Sequence, residues 1–462
     1  MDLISNLLAV SGPATENSVT DEVRFFGLGA MLLYPIIFNK FINKNERIPT
    51  QFIILITGLV IVPIFGKTPL QASDQFVHIT HLISLNLILF SSGLETKFSS
   101  IRSILRYGII LSTVGVAIST LILGSLFYVA VSDNFLGLNN GILGDIPFSV
   151  CMLIGASLGS TDASASISIL NRLRVKLPEK VLQIIKFESS INDPAAVIIY
   201  GMVTSWILHD AHLAGKISAT QDITRNLNFR AITDNFVGLF STGTLVGAIF
   251  GYLSIWMLKN LNLRKQQLLS AGLAIVSINY AVSNFLGGSG LISAFIAGMV
   301  LSNLHKLEEI TIIQNLKESI EPFEELAEIF IYCSFAARVD PDSLFRVLPW
   351  GLMCAFIMMV IARPLSIFIF QPFSRLRWKE ASLLGWCGFK GAVTLALSFE
   401  MVEIISRTNF FDSAITASIA QDIQSIIFIT SITNLLVQSL SLPAIARWTS
   451  QSEEAEPLET MN

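Results

Sequence analysis

The chain has 462 residues, of which 52% are hydrophobic and only 14% charged, with a mean hydropathy of +0.64. A soluble globular chain carries about a quarter charged residues, so this composition belongs to a membrane protein with no room for a large soluble domain. A formal net charge of -4, with Lys and Arg scattered through loops, excludes a nucleic-acid partner; Cys151, Cys333, Cys354 and Cys387, in apolar stretches without CxxC spacing, exclude a disulfide framework or zinc site.

Residues 1–22 lack the basic start and cleavage site of a secretory signal and are expected to form a short extracytoplasmic tail. Thirteen apolar runs follow, near the ~20 residues that cross a bilayer core of ~30 Å as helix. They lie at 23–42, 50–65, 76–95, 104–130, 147–170, 181–208, 232–258, 266–285, 288–304, 322–337, 347–372, 380–402 and 421–446. Span five is interrupted at Gly155, Gly159, Ser160, Thr161 and Asp162, and span twelve at Gly385, Gly388 and Gly391. With the N-terminus outside, twenty of the 30 Lys and Arg fall in inner loops and eight in outer ones, as the positive-inside rule requires. The other two, Arg363 and Lys390, lie inside spans eleven and twelve. An odd span count puts the tail 448–462 in the cytoplasm and makes span seven a midpoint. Spans one to six and eight to thirteen then run in opposite directions, giving an all-α fold with an inverted repeat of six-helix units. Broken helices at matching positions of such a repeat point to a binding site.

Ionisable residues at membrane depth cost several kcal/mol each and are functional by default. Five are candidates: Asp162 in span five, Glu188 and Asp193 in span six, Arg363 in span eleven and Lys390 in span twelve. On a helix, Glu188 and Asn192 share one face and Ser189 and Asp193 the adjoining one, about 100° away, so one face can bind a fixed partner while the other presents oxygen ligands. Pro194 lacks the N–H that would bond the Ser190 carbonyl, leaving that oxygen for a cation or water. Three negative and two positive groups leave a shared cavity at a net charge of -1. One proton or one monovalent cation neutralises it, which favours a one-for-one exchange and an immobile empty site.

At these residues the chain resembles the monovalent cation/proton antiporter superfamily, in the branch of the NhaP-type and NHE-type exchangers. Ser160-Thr161-Asp162-Ala163 is similar to its TD motif, and Glu188-Ser189-Ser190-Ile191-Asn192-Asp193-Pro194 to its ESxxND motif. Leu94-Glu95, Gly287-Gly288-Ser289-Gly290, Ala362-Arg363-Pro364-Leu365 and Gly388-Phe389-Lys390-Gly391-Ala392 fall in the family's order. The resemblance implies secondary antiport of Na+ against H+, with K+ as the alternative ion, by a protein that is no enzyme and needs no cofactor. It implies scaffold and dimer helices at 23–95 and 266–338, a transport core at 104–208 and 346–447, a linking helix at 232–258, and a homodimer. It makes Asp193 the carboxylate shared by cation and proton, with Ser189, Asp162 and the backbone near Thr161 as further oxygen ligands of the transported Na+ or K+. Glu188 would pair with Arg363, and Asn192 would orient the Thr161-Asp162 break. Two departures stand out. Lys390-Gly391-Ala392 replaces an RGA motif, a point charge for a planar fork; Ser91 and Ser92 occupy a stretch of span three where many relatives carry an acid, a change that bears on ion preference.

Other features read more plainly. His78 and His81 are expected as interfacial helix residues, and Glu318, Glu321, Glu324, Glu325 and Glu328 as a cytoplasmic funnel or a solvated loop face. A channel would want a TVGYG-type carbonyl filter, which is absent. An intramembrane aspartyl enzyme would want two unneutralised acids sharing a proton, whereas Arg363 and Lys390 supply charge balance. A bacterial plasma membrane is the expected location.

Overall fold

The computed structural model describes residues 48–65, 74–96, 105–132, 146–173, 177–213, 229–261, 263–303, 310–374, 376–408 and 413–450, with a few isolated positions between 29 and 40. The expected tail 1–22, most of span one and the end of the C-terminal tail lie outside the described residues. The described chain is helical: α1 Thr50–Phe65, α2 Asp74–Glu95, α3 Leu105–Ile110 continued through a π turn into Val116–Ser132, α4 Phe148–Ser157, α5 Ala163–Arg172, α6 Glu179–Leu213 and α7 Phe229–Asn260. There follow α8 Lys265–Phe285, α9 Gly290–Asn303, α10 Ile310–Arg338, α11 Pro341–Phe356 continued through a second π turn into Arg363–Phe370, α12 Trp378–Trp386, α13 Ala392–Thr408 and α14 Ser413–Ser450.

Among the described residues, six helical stretches are long and apolar enough to cross a membrane: Arg106–Ser132, Glu179–Leu208, Val237–Asn260, Gln266–Phe285, Pro341–Phe373 and Ser418–Ser450. Shorter apolar helices such as Phe148–Ser157 and Gly290–Asn303 lie beside them. Water is absent from a bilayer core, so each such segment must satisfy its backbone internally, which a helix does.

Local chemistry sets the ends and irregularities. Asp340 caps α11, accepting from the Ser343 N–H at 3.2 Å, and Pro341 supplies the first helical position. The π turn Ile357–Ala362 immediately precedes Arg363-Pro364, where the missing proline N–H disrupts the regular ladder. Helix α2 crosses α9 at glycines. A Cβ on Gly93 would lie 2.2 Å from the Phe295 carbonyl and one on Gly298 2.2 Å from that of Phe90, so only hydrogen fits on either side. Helix α9 also packs along α7, α11 along α14, α3 along α4, and α10 against α1 and α2.

Two sequence expectations change. The tenth apolar run spans 322–337, yet α10 begins three turns earlier at Ile310. Its first half carries Lys317, Glu318, Glu321, Glu324 and Glu325, and several of these line cavities instead of facing lipid, so hydropathy misses them. His81, expected at the interface, is buried. Its Nε2 lies 2.6 Å from Ser334 Oγ, and its ring meets the edge of Phe399 at 4.0 Å between centroids.

Candidate functional site

Two helices break and meet. Helix α4 ends at Ser157; residues 158–162 are irregular before α5 starts, and residues 387–391 separate α12 from α13 in the same way. The breaks pair through an antiparallel bridge in which the Asp162 N–H donates to the Phe389 carbonyl at 2.8 Å. Gly391 permits the close approach, since a Cβ there would sit 3.0 Å from Asp162 Cβ. Of the other glycines expected to mark the breaks, Gly155 lies inside α4, where a Cβ would meet the Thr120 carbonyl at 2.6 Å; it serves helix packing.

Each half-helix end at this crossing leaves unpaired backbone groups. Lys390, 1% exposed, donates through Nζ to the Leu158 carbonyl and to the Ser160 carbonyl at 3.3 Å, placing positive charge at the negative end of α4. Thr394 Oγ1 also donates to the Ser160 carbonyl at 3.3 Å. Asp162 caps α5, its Oδ1 accepting from the Ser164 N–H at 2.6 Å, which places negative charge at a positive end.

Helix α6 passes beside the crossing and supplies two faces. On one, Glu188 is 1% exposed and forms a two-pronged pair with Arg363, itself 4% exposed: both guanidinium NH groups donate to the carboxylate at 2.7 Å. Asn192, one turn on, donates to Glu188 Oε1 at 3.1 Å and to Thr161 Oγ1, and its Oδ1 accepts from the Thr161 N–H at 3.4 Å. The fixed partners of Glu188 and Asn192 thus reach from α11 to the first break. On the adjoining face, Ser189 Oγ donates to the Thr161 carbonyl at 2.7 Å and accepts from the Ala163 N–H at 2.9 Å, and Asp193 Oδ1 accepts from the Ser160 hydroxyl. All eight expected site residues therefore lie at one crossing. The Thr161 carbonyl, expected as a backbone ligand, is engaged by Ser189 in this conformation.

Asp162, Ser189 and Asp193 line a cavity of about 600 Å³, together with Glu95, Lys186, Lys317, Glu324 and Glu328. Glu95 and Lys317 form an ion pair at 2.6 Å across its rim. A second cavity of about 500 Å³ reaches the other side of the α5 N-terminus, past Gln51, and shares Ser164, Glu324 and Glu328 with the first. Ser91, one of the two serines expected to depart from the family pattern, donates to Glu324 on α10. Glu188 and Arg363 are sealed in the interior, and Lys390 is spent on backbone carbonyls. Asp162 and Asp193 face the cavity, in an arrangement able to hold a small hard cation or a proton among carboxylate and hydroxyl oxygens.

Several contributors escape sequence reading. Ser160 stands in a quoted motif but gained no role, because only the fold shows its hydroxyl turned to Asp193. Gln51, Tyr332 and Thr394 lie far away in sequence; Tyr332 OH donates to the Lys390 carbonyl at 3.3 Å. Polar residues on otherwise apolar helices were the available signal, and such residues are too common to single these out.

Comparison with known proteins gives the family of the chain and the likeness of its fold. The chain is 28% identical over 441 residues to the K(+)/H(+) antiporter NhaP2 of Shewanella sp. strain ANA-3, covering 94% of this chain and 68% of that one. It is 26% identical over 378 residues to the Na(+)/H(+) antiporter NhaS2 of Synechocystis sp. strain PCC 6803, covering 79% and 60%. The fold matches that of the sodium proton antiporter MjNhaP1 from Methanocaldococcus jannaschii at pH 8, with a TM-score of 0.74, 18% identity and coverage of 96% of this chain and all of that one. The family described as Sodium/hydrogen exchanger, transmembrane, matches residues 28–448, and the chain belongs to it as a multi-pass membrane protein.

Proposed function

We propose that the chain is a secondary active monovalent cation/proton antiporter that exchanges Na+ for H+ one for one by alternating access, with Asp193 carrying either the cation or the proton. The observation that carries this reading is the division of labour on α6. Glu188 is neutralised by Arg363 away from solvent, while Asp193, on the adjoining face, lines the cavity and accepts from the Ser160 hydroxyl. A carboxylate so placed binds one positive charge at a time, and competition between the two ions couples their fluxes. K+ is the second reading, favoured by the relatives named as K(+)/H(+) antiporters.

Ser189 and Asp162 are the further cation ligands in this reading, with Thr161, Asn192, Glu188, Arg363 and Lys390 holding the crossing in shape. The core at 104–208 and 346–447 moves against scaffold helices at 23–95 and 266–338, linked by 232–258, and the scaffold pairs two copies in a homodimer. The membrane is the bacterial plasma membrane, N-terminus outside and C-terminus cytoplasmic. On that topology the cavity opens to the cytoplasm, since Glu95, Glu179 and Lys317 lie toward the Lys- and Arg-rich side.

The test is proton flux in proteoliposomes, followed with a pH dye on adding Na+, K+ or Li+, for the wild type and Asp193→Asn. Cation-dependent flux that the substitution abolishes supports antiport through Asp193 and identifies the ion. Flux that persists in the variant, or none in the wild type with any of the three, removes the reading.

A further inference from the structure

The Asp162 carboxylate is held from two sides. Oδ1 takes the ordinary N-cap bond from Ser164. Oδ2 accepts from Gln51 Nε2 at 3.3 Å, and the same amide nitrogen reaches Ser164 Oγ at 3.3 Å. Gln51 belongs neither to the crossing nor to α6: it lies in the first turn of α1, 111 residues away in sequence, and is 9% exposed.

Its helix is firmly placed. A Cβ on Gly58 of α1 would lie 2.6 Å from Ala336 Cβ and 2.8 Å from the Cys333 carbonyl, so α1 and α10 are in close backbone contact. Tyr332, beside Cys333, reaches the second break through the Lys390 carbonyl. The Gln51 amide is thus presented to Asp162 by a helix pair docked on the crossing, not by a loop. An amide N–H is a neutral donor. It can satisfy a carboxylate oxygen when no cation is bound, but it points hydrogen where a cation would need the lone pair.

We propose that Gln51 is a positioning residue of the cation site, whose amide competes with the transported cation for Oδ2 of Asp162 and thereby sets cation affinity. The proposal rests on the antiport reading above. Binding of the cation requires that the amide be displaced, and the Gln51–Asp162 bond is remade on release. Removing the donor leaves Asp162 more available, so the site binds its cation more tightly and releases it more slowly.

Gln51→Leu removes the donor at similar volume and keeps water from taking its place; Gln51→Ala is the second variant should the first fold poorly. Two measurements on the purified full chain suffice: the Na+ or K+ concentration giving half-maximal proton flux in proteoliposomes, and the rise in thermal unfolding midpoint on adding the same ion in detergent. The half-saturating concentration should fall about tenfold, the lower end of what loss of one competing hydrogen bond to a charged group gives. In an Asp162→Asn background the Gln51 substitution should no longer alter the cation-induced midpoint shift, because the competition acts through that carboxylate. A purely structural role predicts a lower maximal rate with half-saturation unmoved. That outcome, a raised half-saturating concentration, or an equal effect in the Asp162→Asn background overturns the proposal. If the wild type responds to no cation in either assay, the antiport reading itself fails and the proposal falls with it.

Discussion

At the scale of single residues, this site separates groups that must stay charged and paired from groups left free to change partner. Glu188 and Arg363 belong to the first kind. Removing one partner of a buried ion pair strands the other, at a cost of about 3–5 kcal/mol. Glu188→Ala should therefore lower the thermal unfolding midpoint markedly, and Glu188→Ala with Arg363→Met should recover part of the loss, both read by thermal denaturation in detergent. Asp193 belongs to the second kind. If proton and cation compete there, acidification raises the half-saturating cation concentration, by up to about tenfold per pH unit once protons dominate, without changing the maximal rate. Cation titrations of proton flux at several equal internal and external pH values would show this, and a half-saturation constant independent of pH would contradict it.

At the scale of elements, the capping of half-helices explains why particular residue types occupy the breaks. Asp162 both caps α5 and faces the cavity, and chemistry can separate the two tasks. Asparagine is nearly as good a cap as aspartate but carries no charge, whereas alanine loses the cap at about 1 kcal/mol. Asp162→Asn should keep stability near that of the wild type while weakening cation binding; Asp162→Ala should lose both, as thermal denaturation with and without cation would report. The motifs around Asp162 and on α6 were legible from sequence because spacing along one helix maps directly onto faces. The partner of Lys390 was not. Its ammonium meets the carbonyls of Leu158 and Ser160, more than 200 residues away, and carbonyls leave no mark in a sequence.

At the scale of the whole molecule, the site opens into a cavity on one side and is backed on another by an aromatic cluster. In that cluster His81, Phe330, Phe335 and Phe399 stack edge to face, the half-buried Phe399 lying between α2 and α10, and Arg338 lies over its ring at 5.4 Å. All four native cysteines are buried, so introduced ones report accessibility against a low background. A cysteine at Ser190, on the cavity wall, should react with a membrane-impermeant thiol reagent from the cavity side. One at the half-buried Phe399 should react more slowly than one at Ser190 in the conformation described and faster when α13 parts from α2. Labelling in vesicles of known orientation tests both, and would also settle the topology.

Composition, the membrane-spanning helical class and the division of α6 into a Glu188/Asn192 face and a Ser189/Asp193 face follow from the chain alone, because hydropathy and helical period are local properties. Local patterns also located the two breaks, though not which glycines bend the chain and which, like Gly155, admit a neighbouring helix. What only the tertiary structure decided is who meets whom across the crossing: Ser160 on Asp193, Gln51 on Asp162, Ser91 on Glu324, and Lys390 on the end of α4. The physical reason is that a polar group inside a membrane must find a partner, yet many helix arrangements could supply one. The choice among them is made by packing, where glycine contacts such as Gly93 on Gly298 fix how closely helices approach and so which side chains reach the site.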